Sequence, residues 1–306
     1  MMRRSLIVAV LGTALMAVGA WPASATWSVV AVDPDTGEVG VAVASCVGFE
    51  VTVVPVLVPG VGAAASQASI SKLSGGRLVE AISGGASAEQ AIDSVVAADD
   101  APDSRQFGVV VLDDGGAGWT GSEAFDVAVD RRSDDGMVSV QGNILVSDAV
   151  VDAAIVGFEA SDGDLPDRLL AGLVAGADAG GDSRCGDQTA TSATLIVARS
   201  GDQNYAHTDA VPLGVDPDTE VVPSVFVSVL VEEGSDRAPD RLVQAWNNAD
   251  HAAESVVIRQ IDDGADSAMQ QGRTIVFVFL GAAALIGAIL IVSFAVWVRH
   301  RRSTPQ

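Results

Sequence analysis

The sequence is poor in basic residues: 17 lysines and arginines stand against 40 aspartates and glutamates, a net charge of -23. Proteins that bind nucleic acid neutralise its phosphates with lysine and arginine, so this balance excludes nucleic acid as a partner. Two cysteines and three histidines are too few for a zinc finger or a zincin site. The sequence contains no phosphate-binding loop and no dinucleotide fingerprint after a strand, so we predict neither a metal nor a cofactor.

The N-terminus has the composition of a targeting segment. Arg3 and Arg4 precede a short apolar run, and Ala-Ser-Ala ends at residue 25. A charged start, an apolar stretch and a small-residue cleavage site predict a secretory signal peptide over residues 1–25. An uncleaved anchor is the alternative, and the two arginines leave the choice between the general and the twin-arginine export routes open.

The C-terminus has the composition of a membrane span. Residues 274–298 contain 25 uncharged residues, which as a helix exceed the hydrocarbon thickness of roughly 30 Å. Three arginines follow within residues 299–306, so this tail is predicted to be cytoplasmic and the rest extracytoplasmic, as in a single-pass type I membrane protein. The arginines argue against the alternative of a tail removed for a glycolipid anchor.

All 40 acidic residues but only 12 of the 17 basic ones fall within residues 26–273, which therefore carry a net charge of -28. Such a diffuse charge is typical of a solvated surface. The length suits one extracytoplasmic domain over residues 26–247, followed by a polar juxtamembrane stem over residues 248–273. The sequence leaves the formation of homo-oligomers open.

Strand-like and helix-like stretches occur in blocks. β-Branched runs at 26–33 and 38–45 flank the turn sequence Pro-Asp-Thr-Gly and predict a hairpin, although Asp33, Asp35 and Glu38 also raise a calcium loop as the weaker alternative. Ser87 and Gln90 form a capping-box pattern. Further strands are predicted at 51–58, 61–67, 107–112, 117–120, 137–140, 193–198 and 225–231, and helices at 77–82, 88–98, 148–159 and 166–177. This order favours a layered α+β fold over a doubly wound parallel sheet.

Cleavage after residue 25 would make Thr26 the first residue of the mature chain. An N-terminal threonine carries a hydroxyl nucleophile and an α-amine, whose reference pKa of about 7.7 to 8.0 lets it accept the hydroxyl proton near neutral pH. One residue then supplies both groups, so no histidine is needed. His207 is interpreted as a loop or core residue. The alternative is that Thr26 merely follows a cleavage site.

Several motifs resemble the domain of unknown function 1028 family, which is placed in the N-terminal-nucleophile hydrolase superfamily. The opening TWSVVAVDPDTGEVGVAVAS, the stretch GVGAAASQ at 60–67 and the blocks RQ, TG, QGN and AGGDSR occur in the order typical of the family. The resemblance covers about residues 26–247. Ser66 replaces a threonine of the family pattern, and Cys185 replaces its glycine, so this chain resembles an exported subgroup whose pocket differs.

The resemblance implies a four-layer αββα sandwich and acyl transfer through a covalent intermediate at Thr26. Such a reaction needs donors for the developing oxyanion. Asn143, in the Gln-Gly-Asn block, is the candidate donor, and its alternative role is that of a turn residue tolerating a left-handed backbone.

Other candidate site residues follow from the same blocks. Ser45 ends the strand whose partner begins with Thr26, so cross-strand geometry places it near the nucleophile, where it would orient the amine. The residues expected to line a substrate pocket are Gln67, Arg105, Asp182 and Arg184, with an arginine suited to a substrate carboxylate. Structural ion pairs are the alternative for the charged members of this set.

Cys46 and Cys185 are the only cysteines. An even pair in an oxidising compartment predicts one disulfide, which would join two of the family blocks. A catalytic Cys46 is the alternative, but it has no obvious base.

Together with the membrane-targeting segments, the resemblance implies a membrane-anchored extracytoplasmic amidohydrolase that uses Thr26 on peptides, cell-wall amides or acylated small molecules. The competing hypothesis is a non-catalytic surface or envelope-binding module on the same fold.

Overall fold

The computed structural model describes residues 26–206, 223–253 and 255–262. The predicted signal peptide 1–25, membrane span 274–298 and tail 299–306 lie outside the described residues, as does His207. Within the described part of the chain, no helix has the length and apolar content required to cross a membrane.

The described residues form two β-sheets. The strands are β1 (Thr26–Asp33), β2 (Glu38–Ser45), β3 (Pro55–Val58), β4 (Gly62–Ala68), β5 (Arg105–Val111), β6 (Gly115–Thr120), β7 (Val129–Arg132), β8 (Val138–Asn143), β9 (Ser192–Ala198), β10 (Tyr205–Ala206), β11 (Val225–Leu230) and β12 (Val256–Ile261). One sheet has the order β12-β11-β9-β2-β1-β8-β7 and the other the order β10-β3-β4-β5-β6. All neighbouring strands are antiparallel except β11 and β12, which are parallel.

Five α-helices are described. They are α1 (Lys72–Ser83), α2 (Ala88–Ala98), α3 (Ala149–Glu159), α4 (Leu165–Asp178) and α5 (Ala238–Asn247). α1 and α2 pack on the five-stranded sheet, whereas α3, α4 and α5 pack on the seven-stranded sheet.

Three apolar clusters hold these elements together. Val41 and Leu57 belong to a cluster that lies between the two sheets. Leu195 and Leu169 belong to a second cluster, between the seven-stranded sheet and its helices. Phe107 belongs to a third, between the five-stranded sheet and α1 with α2. The prediction of a mixed α+β fold is therefore confirmed.

The first hairpin forms as predicted, with β1 paired to β2 over their full length. In its turn, the backbone N–H of Asp35 donates to a carboxylate oxygen of Asp33 at 2.9 Å, and Gly37 has a φ of 74°. A local hydrogen bond from an aspartate followed by a glycine with positive φ is typical of a turn. No group of three or more possible metal ligands occurs among the described residues.

The structure contains β7, β10 and α5, which were not predicted, and two further stretches contradict the prediction. Residues 51–54 lie outside any strand, although the strand was predicted to begin at residue 51. Their valines pack between the sheets, so their hydrophobicity reflects burial rather than pairing. Residues 256–261, predicted as part of a polar stem, instead form β12, where Arg259 binds Glu50. β12 is an edge strand with several exposed positions, and its sequence VVIRQI is mostly apolar although the residues on both sides of it are polar.

Candidate functional site

The space between the sheets is apolar over most of its length and polar at one end. β1 begins at this end, β2 and β8 end there, and β4 and β5 face them from the second sheet. We call the buried polar residues here the polar layer: Thr26, Ser28, Ser45, Gln67, Gln106, Gln141 and Asn143, each at most 2% exposed. Burying polar groups disfavours folding unless they are hydrogen-bonded, so their concentration at one point marks a candidate site.

Strand register brings three of the predicted catalytic residues together. Thr26 lies directly opposite Ser45 on β2 and directly opposite Asn143 on β8. Side chains at directly opposite positions of antiparallel strands share a face, so all three project into the space between the sheets. The hydroxyl of Thr26 donates to the hydroxyl of Ser45 at 3.4 Å. The predicted proximity of Ser45 to Thr26 is therefore confirmed, whereas its role stays a prediction.

Gln67 on β4 connects the second sheet to the nucleophile strand. Its Nε2 donates to the carbonyl of Thr26 at 3.3 Å and to Oε1 of Gln106 at 2.8 Å. Its Oε1 accepts a hydrogen bond from the hydroxyl of Ser28 at 2.6 Å. Gln141 also binds the hydroxyl of Ser28 through its Nε2. Gln67, predicted to line a pocket, thus contacts the backbone of the candidate nucleophile.

Gln106 on β5 belongs to the polar layer, although it was not among the predicted site residues. Its Nε2 donates to the hydroxyl of Thr120 at 3.0 Å and to the carbonyls of Val129 and Gly142 at 3.1 and 2.9 Å. Its Oε1 accepts from Nδ2 of Asn143 at 3.2 Å. The only available sequence signal was its position next to Arg105 in a family block.

Asp182 and Arg184 lie on the loop that follows α4. Asp182 is fully buried and accepts a hydrogen bond from the backbone N–H of Cys46 at 2.7 Å. The guanidinium of Arg184 binds both oxygens of Asp182 at 2.8 and 3.1 Å. Cys46 immediately follows Ser45, so this ion pair holds the loop against the end of β2. The arrangement agrees with a structural ion pair, which was the alternative for these two residues.

Cys46 and Cys185 form the predicted disulfide, with their α-carbons 5.7 Å apart. The disulfide and the Asp182 ion pair therefore fasten the same loop to the same strand end. Both sulfurs are used in this bond, so the structure gives no support to a nucleophilic Cys46.

A cleft of about 570 Å³ opens beside this disulfide. Arg184 and Gln188 line one side, and Glu233, Arg237 and Asp240 line another. Arg237 is paired with Asp240 at 2.8 Å. Of the predicted pocket residues, Arg184 is the one that lines this cleft.

Arg105 lies outside the polar layer. Its guanidinium binds both carboxylate oxygens of Asp99 at 3.1 and 3.2 Å and also the carbonyl of Ser69. These contacts favour the ion-pair alternative for Arg105, and its contact with a substrate stays a prediction.

Comparison with known proteins agrees with this fold. A solved structure, that of protein SPO2555 from Silicibacter pomeroyi, described as a DUF1028 protein, is similar with a TM-score of 0.57 and 25% identity, over 73% of this chain and 85% of that one. No curated protein matches the sequence. The model of the family of unknown function DUF1028 matches residues 26–224, from the first residue of β1 to the residue before β11. The chain therefore belongs to the DUF1028 family.

Proposed function

We propose that this chain is an amide hydrolase of the N-terminal-nucleophile type, in which Thr26 supplies both nucleophile and base. The observation that carries the proposal is the position of Thr26. It is the first residue of β1 and lies between Ser45 and Asn143 in a buried polar layer. The predicted cleavage after residue 25 would place a free α-amine in that layer.

The fold supports the same proposal. Two sheets face each other through one apolar cluster, and helices pack on the outer face of each sheet. We propose that this arrangement is the αββα sandwich of the N-terminal-nucleophile hydrolase superfamily.

The proposed reaction proceeds in two halves. The α-amine of Thr26 takes the proton of Oγ1 while Oγ1 bonds to the carbonyl carbon of the substrate. The resulting ammonium gives this proton to the leaving nitrogen as the C–N bond breaks, which leaves an ester on Thr26. Water then adds to the ester carbon, its proton passes through the same amine to Oγ1, and the acid is released. A hydrogen of Asn143 Nδ2 would stabilise the negative oxygen in both halves.

The proposed export of the domain would account for a free α-amine on Thr26. The Cys46–Cys185 disulfide is typical of an oxidising compartment. We propose accordingly that residues 1–25 are a signal peptide cleaved before Thr26, that residues 274–298 anchor the protein in the membrane, and that the domain is extracytoplasmic. The substrate would be an amide on the outer side of that membrane, namely a peptide, a cell-wall amide or an acylated small molecule.

N-terminal sequencing and probe labelling test this function together. We expect the protein purified from its membrane to begin at Thr26 and a β-lactone probe to acylate that residue. Thr26→Ala should abolish the labelling, and Thr26→Ser should retain it. Thr36→Ala changes an exposed threonine in the hairpin turn and should label as the wild type does.

A mature chain that begins elsewhere, or labelling that persists in Thr26→Ala, would reject the mechanism. The non-catalytic binding module would then be the better hypothesis.

A further inference from the structure

The orientation of the Gln106 side chain is fixed by two backbone carbonyls. Carbonyl oxygens only accept hydrogen bonds, so the group that faces the carbonyls of Val129 and Gly142 has to be the amide nitrogen. The other end of the amide, Oε1, is therefore an acceptor. It receives hydrogen bonds from Gln67 and from Asn143.

This constraint also fixes Asn143. Because Gln106 presents an acceptor, the atom of Asn143 that faces it has to be the donor Nδ2, and a flipped amide would set two oxygens against each other. Oδ1 of Asn143 is then left over. It is fully buried and has no hydrogen-bond partner within the described part of the chain.

A buried acceptor without a partner destabilises a fold by roughly 1 to 3 kcal/mol, so its presence points to a group that fills it in the working protein. The residue directly opposite Asn143 is Thr26. Cutting the chain before Thr26 replaces a peptide N–H by an amine, which adds one hydrogen, or two when it is protonated. Cleavage therefore supplies new donors on the residue opposite the vacant acceptor.

We propose that Gln106 is a positioning residue that holds Asn143 with Oδ1 available, and that Oδ1 accepts a hydrogen bond from the α-amine of mature Thr26. The proposal rests on the proposed function, because it requires the chain to begin at Thr26. Asn143 would then have two roles: its Oδ1 would bind the α-amine that acts as the base, and its Nδ2 is the candidate donor to the oxyanion.

An acceptor oxygen stabilises an ammonium group more than a neutral amine, so losing it should lower the pKa of the α-amine. Lys72 is the only lysine, so a mature chain has two primary amines. Competitive acetylation with trace acetic anhydride across pH, read by mass spectrometry, gives both pKa values, and Lys72 serves as the internal reference.

We expect Asn143→Leu and Gln106→Met each to lower the pKa of the α-amine by about 0.5 or more. Gln188→Met is the matched control, because Gln188 is also a buried glutamine whose Nε2 donates to two backbone carbonyls, those of Glu232 and Asp236. It should leave the pKa unchanged. The charged groups linked to the site are retained in every variant. They are the Asp182–Arg184 ion pair and Asp130, which accepts a hydrogen bond from the hydroxyl of Thr120, the partner of Gln106.

If a variant fails to fold, the proposal can still be tested by NMR titration of the wild-type protein. The sequence has four asparagines, so ¹⁵N-asparagine labelling gives four side-chain amide signals. The Asn143 signal should titrate with the midpoint of the α-amine. A signal that does not follow the amine, or equal pKa values in all folded variants, would overturn the proposal.

Identifying the first residue of the purified protein distinguishes a failure of this inference from a failure of the proposed function. If the purified protein does not begin at Thr26, the proposed function fails. The pKa experiment is then run on a chain initiated at a methionine directly before Thr26, which methionine aminopeptidase removes.

Discussion

Gly108 on β5 shows how tightly the polar layer is packed. A β-carbon at this position would overlap the amide group of Gln141, which binds Ser28. Gly108→Ala should therefore displace Gln141 and lower the free energy of unfolding by about 2 to 4 kcal/mol. Gly48→Ala is the control, because a β-carbon there meets nothing within 4 Å. Urea unfolding measures both, and equal stability of the two variants would contradict the packing argument.

Asp130, which lies at the edge of the same layer, should make the stability of the fold depend on pH. Burial raises the pKa of Asp130, and this effect outweighs the hydrogen bond from Thr120 and the attraction of Arg131 and Arg132. The folded protein therefore holds this proton more tightly than the unfolded chain does. Stability is accordingly lost as pH rises from the ordinary value of 3.8 through the raised pKa.

Asp130→Asn removes this unfavourable ionisation. We expect the variant to be more stable than the wild type at pH 7 and the difference to shrink as pH falls below 3.8. Thermal unfolding across pH measures the difference. A difference that stays constant with pH would show that the carboxyl group does not titrate as argued.

Single residues of the site were predictable where they depend on one hairpin. The turn after β1 fixes the register that sets Ser45 opposite Thr26. The hydrogen bonds of Gln106 and the packing of Gln141 against Gly108 were not predictable, because these contacts depend on how two separate sheets face each other. No local pattern in the sequence encodes that arrangement.

At the level of elements, the N-terminus of α2 carries the predicted capping box. The hydroxyl of Ser87 accepts from the backbone N–H of Gln90 at 3.2 Å, and the side chain of Gln90 accepts from the N–H of Ser87 at 3.1 Å. Ser87→Ala should lower the free energy of unfolding by about 1 kcal/mol. Ser94→Ala, inside the same helix, should change it by less than about 0.5 kcal/mol, since alanine favours helix. Chemical denaturation that ranks the two variants equally would contradict the cap assignment.

The elements found from sequence are those with strong local signals. β1, β2 and α2 have the predicted limits because β-branched runs, a Pro-Asp-Thr-Gly turn and a capping box define them. β12 was missed because it joins β11 from more than 20 residues further along the chain and leaves several side chains exposed. Its pairing is a tertiary interaction, so periodicity alone did not reveal it.

At the level of the whole molecule, the Cys46–Cys185 disulfide links positions 139 residues apart. Closing so long a loop restricts the unfolded chain, which should stabilise the folded state by about 2 to 4 kcal/mol. We expect the double variant Cys46→Ala with Cys185→Ala to lose that amount in urea unfolding. A reducing agent should destabilise the wild type similarly and leave the double variant unchanged, whereas an undiminished stability of the variant would contradict this account.

The interior position of β1 in its sheet determines whether the proposed cleavage before Thr26 can follow folding. A peptidase binds several residues on both sides of the bond that it cuts, yet Thr26, Trp27 and Ser28 are all buried between β2 and β8. The proposed cleavage before Thr26 would therefore have to precede folding. β8 lies more than 100 residues further along the chain, so the proposed cleavage site would stay accessible to a peptidase until β8 is synthesised and pairs with β1.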